Sequence, residues 1–258
     1  MTGQVSLAVD GPLATLTLSH PGKLNAMSRA MWRELRSAFA SIQNNSVLRC
    51  VVVRGEGGHF CAGGDISEYA QFRFEEATLR DFHEDEVWGG LQAMLDCDVP
   101  IVAQIEGNCM GAGLEMACCC DLRLAAKSAK FGAPIAKLGF PMAPREAALV
   151  RRVAGDLTAR EMLLAASVLD STTMLQRGFL NSVQADDALS VQVKALVARI
   201  CSLAPQAARL NKQSFRALAH SPHGLPATDL IASAYRYADS VEHREGVEAF
   251  VAKRPPAF

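Results

Sequence analysis

Two glycine-rich stretches hold the residues best suited to chemistry: Phe60-Cys61-Ala62-Gly63-Gly64-Asp65 and Gly107-Asn108-Cys109-Met110-Gly111-Ala112-Gly113. Phosphate binding is the first chemistry such turns suggest. The second stretch, however, lacks the lysine and the serine or threonine of a P-loop, and it does not match the G-x-G-x-x-G dinucleotide fingerprint. What the turns do offer is main-chain N–H. Glycine lets the backbone turn at positive φ and bring the peptide plane close to a ligand. A helix starting near Gly111 would leave its first amides unpaired at the positive end of its dipole. One amide from each turn, aimed at a single point, makes an oxyanion hole, in which one donor contributes about 3–4 kcal/mol to a barrier. The same spacing also suits two tight strand-to-helix turns that bind nothing.

Glu115 follows in the first turn of that helix, among Leu114, Met116, Ala117 and Cys118. The helix dipole favours a carboxylate there whatever its role. Apolar surroundings would raise its pKa and suit it to proton transfer. His59 and His83 have no visible partners and read as solvent-facing or supporting residues. Lys127, Lys130 and Lys137 read as surface cations.

The elements that must position these groups follow from periodicity. Val5, Leu7 and Val9, a Gly11-Pro12 turn, and Ala14, Leu16 and Leu18 predict a hairpin with one buried face. Ser28 caps a predicted helix with Met31, Leu35, Ala38, Phe39 and Ile42 on one stripe. The continuous apolar run Cys50–Val53 suits a strand covered on both faces. Roughly fifty residues on, the run Pro100–Ile105 repeats the plan of strand, glycine turn and helix, with a polar helical stretch from about 75 to 95 between the two units. Such repeats stack strands into parallel sheets with helices outside. A short strand from Leu122 to Ala125 follows, then helices over Glu146–Val153 and Thr158–Ala166, and a segment capped by Ser171. Leu189, Val193, Leu196, Val197 and Ile200 form a further stripe, and the tail from Pro205 keeps helical character.

Composition narrows the function classes. The chain has 258 residues, 50% hydrophobic and 21% charged, with a net charge of −1, the profile of a soluble protein with a large core and no bias toward nucleic acid or an anionic membrane. No apolar run is long enough to span a bilayer, and the first residues resemble neither a signal nor a transit peptide, so a cytoplasmic location is expected. The eight cysteines, three of them consecutive at 118–120, show no paired metal-ligand spacing. They read as small buried hydrophobes kept reduced, with no metal site.

The stretch Ile101–Asp121 resembles the second oxyanion segment of the crotonase (enoyl-CoA hydratase/isomerase) family, and Phe60–Ile66 resembles the first. Pro21-Gly22-Lys23-Leu24-Asn25-Ala26-Met27 looks like that family's loop along coenzyme A, and Glu245-Gly246, Ala249-Phe250, Lys253-Arg254 and Phe258 are similar to its C-terminal helix ending. The resemblance runs nearly end to end. It implies an α/β fold, a repeated ββα superhelix with a C-terminal helical region, divided into a core at 1–195 and a helical region at 196–258 that completes the pocket or the oligomer. It implies oxyanion donors at Gly64 and Ala112, the latter usually glycine, with Glu115 catalytic. Lys23, Leu24, Ala26, Ala62, Gly64, Asp65, Ile66, Ala112 and Ile135 would contact the acyl-CoA substrate. No cofactor is implied beyond the coenzyme A of the substrate, and no nucleic acid or membrane partner; a homotrimer or hexamer is.

One departure stands out. The second glutamate of a typical hydratase should follow Pro134, where this chain has Ile135, which can neither accept a proton nor orient water. Either Glu115 then acts alone as acid and base, or Glu146 or a carboxylate between Glu68 and Glu86 folds into the pocket. Decarboxylation of a malonyl-type thioester is an alternative, because it needs enolate stabilisation and one proton donor. Isomerisation ranks lower because it often relies on position 135, and Met116 argues against dehalogenation. From another class, a catalytically silent acyl-CoA- or RNA-binding relative is the rival.

Overall fold

The structure, a computed structural model, describes residues 2–219, 231 and 233–258. Strands β1 (Gln4–Asp10) and β2 (Leu13–Ser19) form an antiparallel hairpin. The strands β3 (Cys50–Gly55), β4 (Ile101–Ile105), β6 (Leu122–Ala126) and β9 (Ser182–Gln184) extend it in parallel, giving a six-stranded sheet in the order β1-β2-β3-β4-β6-β9. A second sheet holds β5 (Asn108–Met110), β7 (Lys130–Gly132) and β8 (Val168–Asp170).

The apolar runs are continuous because the central strands feed two cores. Val51, Val53, Ile101, Ala103 and Ile105 point into the main core, against helices α1 (Arg29–Gln43), α3 (Trp88–Asp96) and α4 (Ala112–Cys119). The alternate residues Cys50, Val52, Val102, Leu124 and Ala126 meet Leu189, Val193 and Val197 of α8 (Leu189–Cys201) on the other face. Period-two alternation with both faces covered leaves no polar position along β3 until Arg54. Helix α8 also crosses the expected boundary at 195/196, so its stripe is part of the sheet's cover.

Ser28 caps α1 as expected, its hydroxyl accepting from the Met31 amide at 3.3 Å. The hairpin differs from expectation: β2 buries Ala14, Leu16 and Leu18, whereas Val9 on β1 is exposed, because β1 is an edge strand with a single neighbour. Ser171 is not a cap. Asp170 holds that position for α7 (Ser171–Gln176), accepting from the Thr173 amide at 2.8 Å, and the Ser171 hydroxyl donates to the Lys127 carbonyl instead. The stretch after the first glycine turn forms a 3₁₀ segment (Ile66–Gln71), and the polar stretch beyond it is α2 (Glu76–Asp81), a π-helical turn (Phe82–Val87) and α3. Pro144–Ala154 (α5) and Asp156–Leu164 (α6) precede β8, and Pro205–Ala219 (α9) and a last helix, Val241–Val251, follow α8. No helix of the described residues is long and apolar enough to cross a membrane.

Candidate active site

The site forms where β3 and β4 end. Register pairs Val53 with Ala103 and Arg54 with Gln104, so the two glycine-rich loops leave the sheet side by side at the carboxyl ends of parallel strands. They stay paired. The Phe60 amide donates to the Glu106 carbonyl, Cys61 to Asn108, and Met110 back to Cys61, at 2.8, 2.8 and 2.9 Å, making a parallel bridge between Cys61 and Cys109. Gly64 and Ala112 each lie three residues beyond their partner in that bridge.

Glycine is required here for close approach as well as for conformation. Gly63 and Gly111 have φ of +117° and +45°. A Cβ on Gly111 would sit 3.6 Å from the Gly63 Cα, and one on Gly113 would sit 2.6 Å from the Cys61 carbonyl oxygen. The start of α4 thus lies directly on the first loop. The Gly64 and Ala112 amides donate to no backbone acceptor among the described residues: Ala112 opens α4, and the bridge around Gly64 uses its neighbours Gly63 and Asp65. Both residues line one cavity of about 390 Å³.

Ala62, Gly64, Ile66, Ala112, Glu115 and Ile135 line this cavity, whereas Lys23, Leu24, Ala26 and Asp65 do not. The latter group braces the first loop. Lys23 Nζ donates to Asp65 Oδ2 and to the Ser67 hydroxyl, both at 2.7 Å. Burial pushes the Asp65 carboxyl up, but the Lys23 ammonium and the Ser67 hydroxyl and amide outweigh it and hold Asp65 below its ordinary value. The Leu24 carbonyl accepts from the Ala62 amide at 3.0 Å. Leu24 and Asn25 both have positive φ, and buried Asn25 holds that turn by donating to the Glu56 and His59 carbonyls at 2.8 Å. His59 has a structural role, its Nδ1 accepting from the Asn108 amide at 3.2 Å.

Glu115 is buried. Its carboxyl has no hydrogen-bond partner among the described residues, although its amide closes the first turn of α4 on the Gly111 carbonyl at 2.9 Å. Burial raises its pKa well above the carboxylate range, and the charge of Glu146 raises it further. Glu146, one of the carboxylates the sequence left open, does enter the cavity. Its Oε2 accepts from the Ala143 amide at 3.2 Å, capping α5, and its Oε1 meets His83 Nδ1 at 3.0 Å.

Sequence reasoning set His83 aside and missed Tyr69 and Arg73, all of which line the cavity. Arg73 Nη1 lies 3.4 Å from His83 Nε2. A guanidinium can only donate, so Nε2 accepts and Nδ1–H donates to Glu146. The π-helical turn supplies Phe82, His83 and Val87 to the wall; its extra residue per turn shifts side chains off the α-helical stripe, so helical periodicity could not reveal it. The Tyr69 hydroxyl abuts Gly64 so closely that a Cβ at residue 64 would overlap it. Burial pushes that hydroxyl up to about 12.

Known proteins resemble the chain in both sequence and fold. The family model described as enoyl-CoA hydratase/isomerase matches residues 9–258. A probable enoyl-CoA hydratase of Bacillus subtilis is 30% identical over 98% of both chains, and a crotonyl-CoA hydratase of Syntrophomonas wolfei is 28% identical over 98% of this chain and 97% of its own. A crystal structure of an enoyl-CoA hydratase/carnithine racemase from Magnetospirillum magneticum superimposes with a TM-score of 0.94 at 38% identity, covering 98% of this chain and 94% of that one.

Proposed function

The chain belongs to the enoyl-CoA hydratase/isomerase family, and from that premise we propose that its cavity adds water reversibly to a 2-enoyl thioester of coenzyme A. One observation carries the reading. Two residues whose amides have no backbone acceptor among the described residues, on two loops locked in parallel register, line the cavity that holds a buried carboxyl with a raised pKa.

The Gly64 and Ala112 amides hold the thioester oxygen and stabilise the enolate as negative charge moves onto it. The methyl of Ala112 leaves that N–H in place. Glu115 keeps its proton above the usual carboxylate range, so it can deliver the proton to the α-carbon while water adds to the β-carbon. The other carboxyl oxygen takes the proton that the water loses, which restores the group. Ile135 lines the same cavity and offers no polar atom for this exchange. Glu146 already has both oxygens engaged, and it acts through its charge on Glu115. Lys23, Leu24, Ala26 and Asp65 support the loop along which the coenzyme would lie.

Crotonyl-CoA loses its conjugated-thioester absorbance on hydration, so the test is direct. Loss of absorbance with an enoyl-CoA panel is the expected result. No change, with carbon dioxide released from malonyl-type thioesters, would make the protein a decarboxylase. We propose further that the chain assembles as a trimer or hexamer, because the last helix leaves Val241, Val247, Phe250 and Val251 exposed. A monomeric mass by light scattering would refute that.

A further inference from the structure

Among the described residues, Arg73 is the one guanidinium lining the cavity. The other half-buried arginines are well supplied with acceptors: Arg29 pairs with Glu86 and Arg177 with Glu161, each at 2.7 Å, while Arg49, Arg123 and Arg209 each donate to two or more backbone carbonyls. Arg73 has no such partner among the described residues, and its one side-chain hydrogen bond there goes to His83 Nε2. A guanidinium carries five N–H donors, so most of its donors have no protein acceptor in the described structure. Glu146 does not neutralise it directly, because the His83 ring stands between them, bonded to each.

The position of this charge is specific. The Arg73 guanidinium lies 3.8 Å from the ring centroid of Phe140 and 4.6 Å from that of Tyr69. Stacking of this kind fixes the guanidinium plane while leaving its edge free for a planar, bidentate partner. The Tyr69 hydroxyl at the other end of that ring abuts Gly64. Arg73 therefore sits about one tyrosine ring away from Gly64, with Phe82, Ile135 and Phe140 among the surrounding walls. Burial draws its pKa down, the sign of a charge that has lost water without gaining an anion.

We propose that the acyl chain bound here ends in a carboxylate, the substrate class being a coenzyme A monothioester of a short unsaturated dicarboxylic acid, with Arg73 gripping the free carboxylate. The inference rests on the reading of the cavity as an acyl-thioester site. It deepens that reading by naming the group at the far end of the chain.

The test compares glutaryl-CoA with valeryl-CoA by titration calorimetry. Both have five acyl carbons and differ in the terminal group, and neither has a double bond to hydrate. The wild-type protein is expected to bind glutaryl-CoA at least about tenfold more tightly, a ratio that corresponds to about 1.4 kcal/mol. Arg73→Met should bring the ratio close to one, and Arg73→Lys should restore part of it. No preference in the wild type would overturn the proposal, as would a preference that survives in Arg73→Met. Equal weakening of both thioesters and of free coenzyme A would place the guanidinium on the coenzyme, and would also overturn it. Hydration of crotonyl-CoA by a protein indifferent to glutaryl-CoA leaves the hydratase reading standing alone. A glutaryl preference without turnover of any enoyl thioester, glutaconyl-CoA included, supports the Arg73 assignment and removes hydration.

Discussion

Glu115→Gln separates charge from packing, because it exchanges one carboxyl oxygen for nitrogen at almost constant volume. The side chain is buried and its carboxyl has no hydrogen-bond partner among the described residues, so the folded state strongly disfavours the ionised form. Each pKa unit by which folding raises the group corresponds to about 1.4 kcal/mol. The sign follows from proton binding. The folded protein holds this proton more tightly than the unfolded chain, so the stability it confers is complete below the ordinary value of 4.5 and is lost as pH rises toward the raised value. Within that window the wild type should lose about 1.4 kcal/mol per pH unit relative to the variant. For a chain of this size, where 1 kcal/mol shifts the melting temperature by about 2–4 °C, the variant's advantage should grow by about 3–6 °C per pH unit. Turnover of crotonyl-CoA by the same variant should fall by about 10²–10⁴, the usual worth of a positioned acid–base group. Thermal melts from pH 5 to pH 8, with the absorbance assay on the same samples, read both effects. Parallel melting curves for the two proteins would show that the carboxyl is not held protonated, and undiminished turnover would remove Glu115 from the chemistry.

Three further outcomes follow from the same contacts. Glu146→Gln removes the charge that helps raise Glu115, so the alkaline limb of the kcat profile should move to lower pH while activity at its optimum persists; an unmoved limb would deny the coupling. Gly113→Ala forces a methyl against the Cys61 carbonyl, and urea denaturation should show a loss of about 1–3 kcal/mol together with reduced turnover, since the strain pushes the two loops apart. Gly64→Ala collides with the Tyr69 hydroxyl, so adding Tyr69→Phe should recover part of the lost stability; strictly additive losses in the double variant would mean the two groups do not touch.

Much of the scaffold could be read from the chain because it depends on local patterns. The stripe of α1 with its Ser28 cap, the two-sided strands β3 and β4 and the glycine turns after them all followed from spacing. The places where the reading slipped are equally physical. Ser171 and Asp170 are adjacent residues that both favour N-caps, and the choice went to Asp170 because the Lys127 carbonyl, far away in sequence, occupies the Ser171 hydroxyl. His83 had no visible partner because its partners are 10 residues before it and 63 after it, and a π-helical turn presents it to the cavity.

The residue types alone marked the two glycine turns and the carboxylate that follows the second. Glycines at 63, 111 and 113 and a carboxylate at 115 are local facts, and they dictate backbone conformation and proximity along the chain. Which further charges share that space was a tertiary decision. Glu146 caps its own helix, and nothing in its neighbours says that the helix end faces Glu115. Arg73 looks like any loop arginine until Tyr69, Phe140 and His83 close around it. Backbone geometry is set by near neighbours, whereas the electrostatics of a cavity sum over every wall, and only folding brings those walls together.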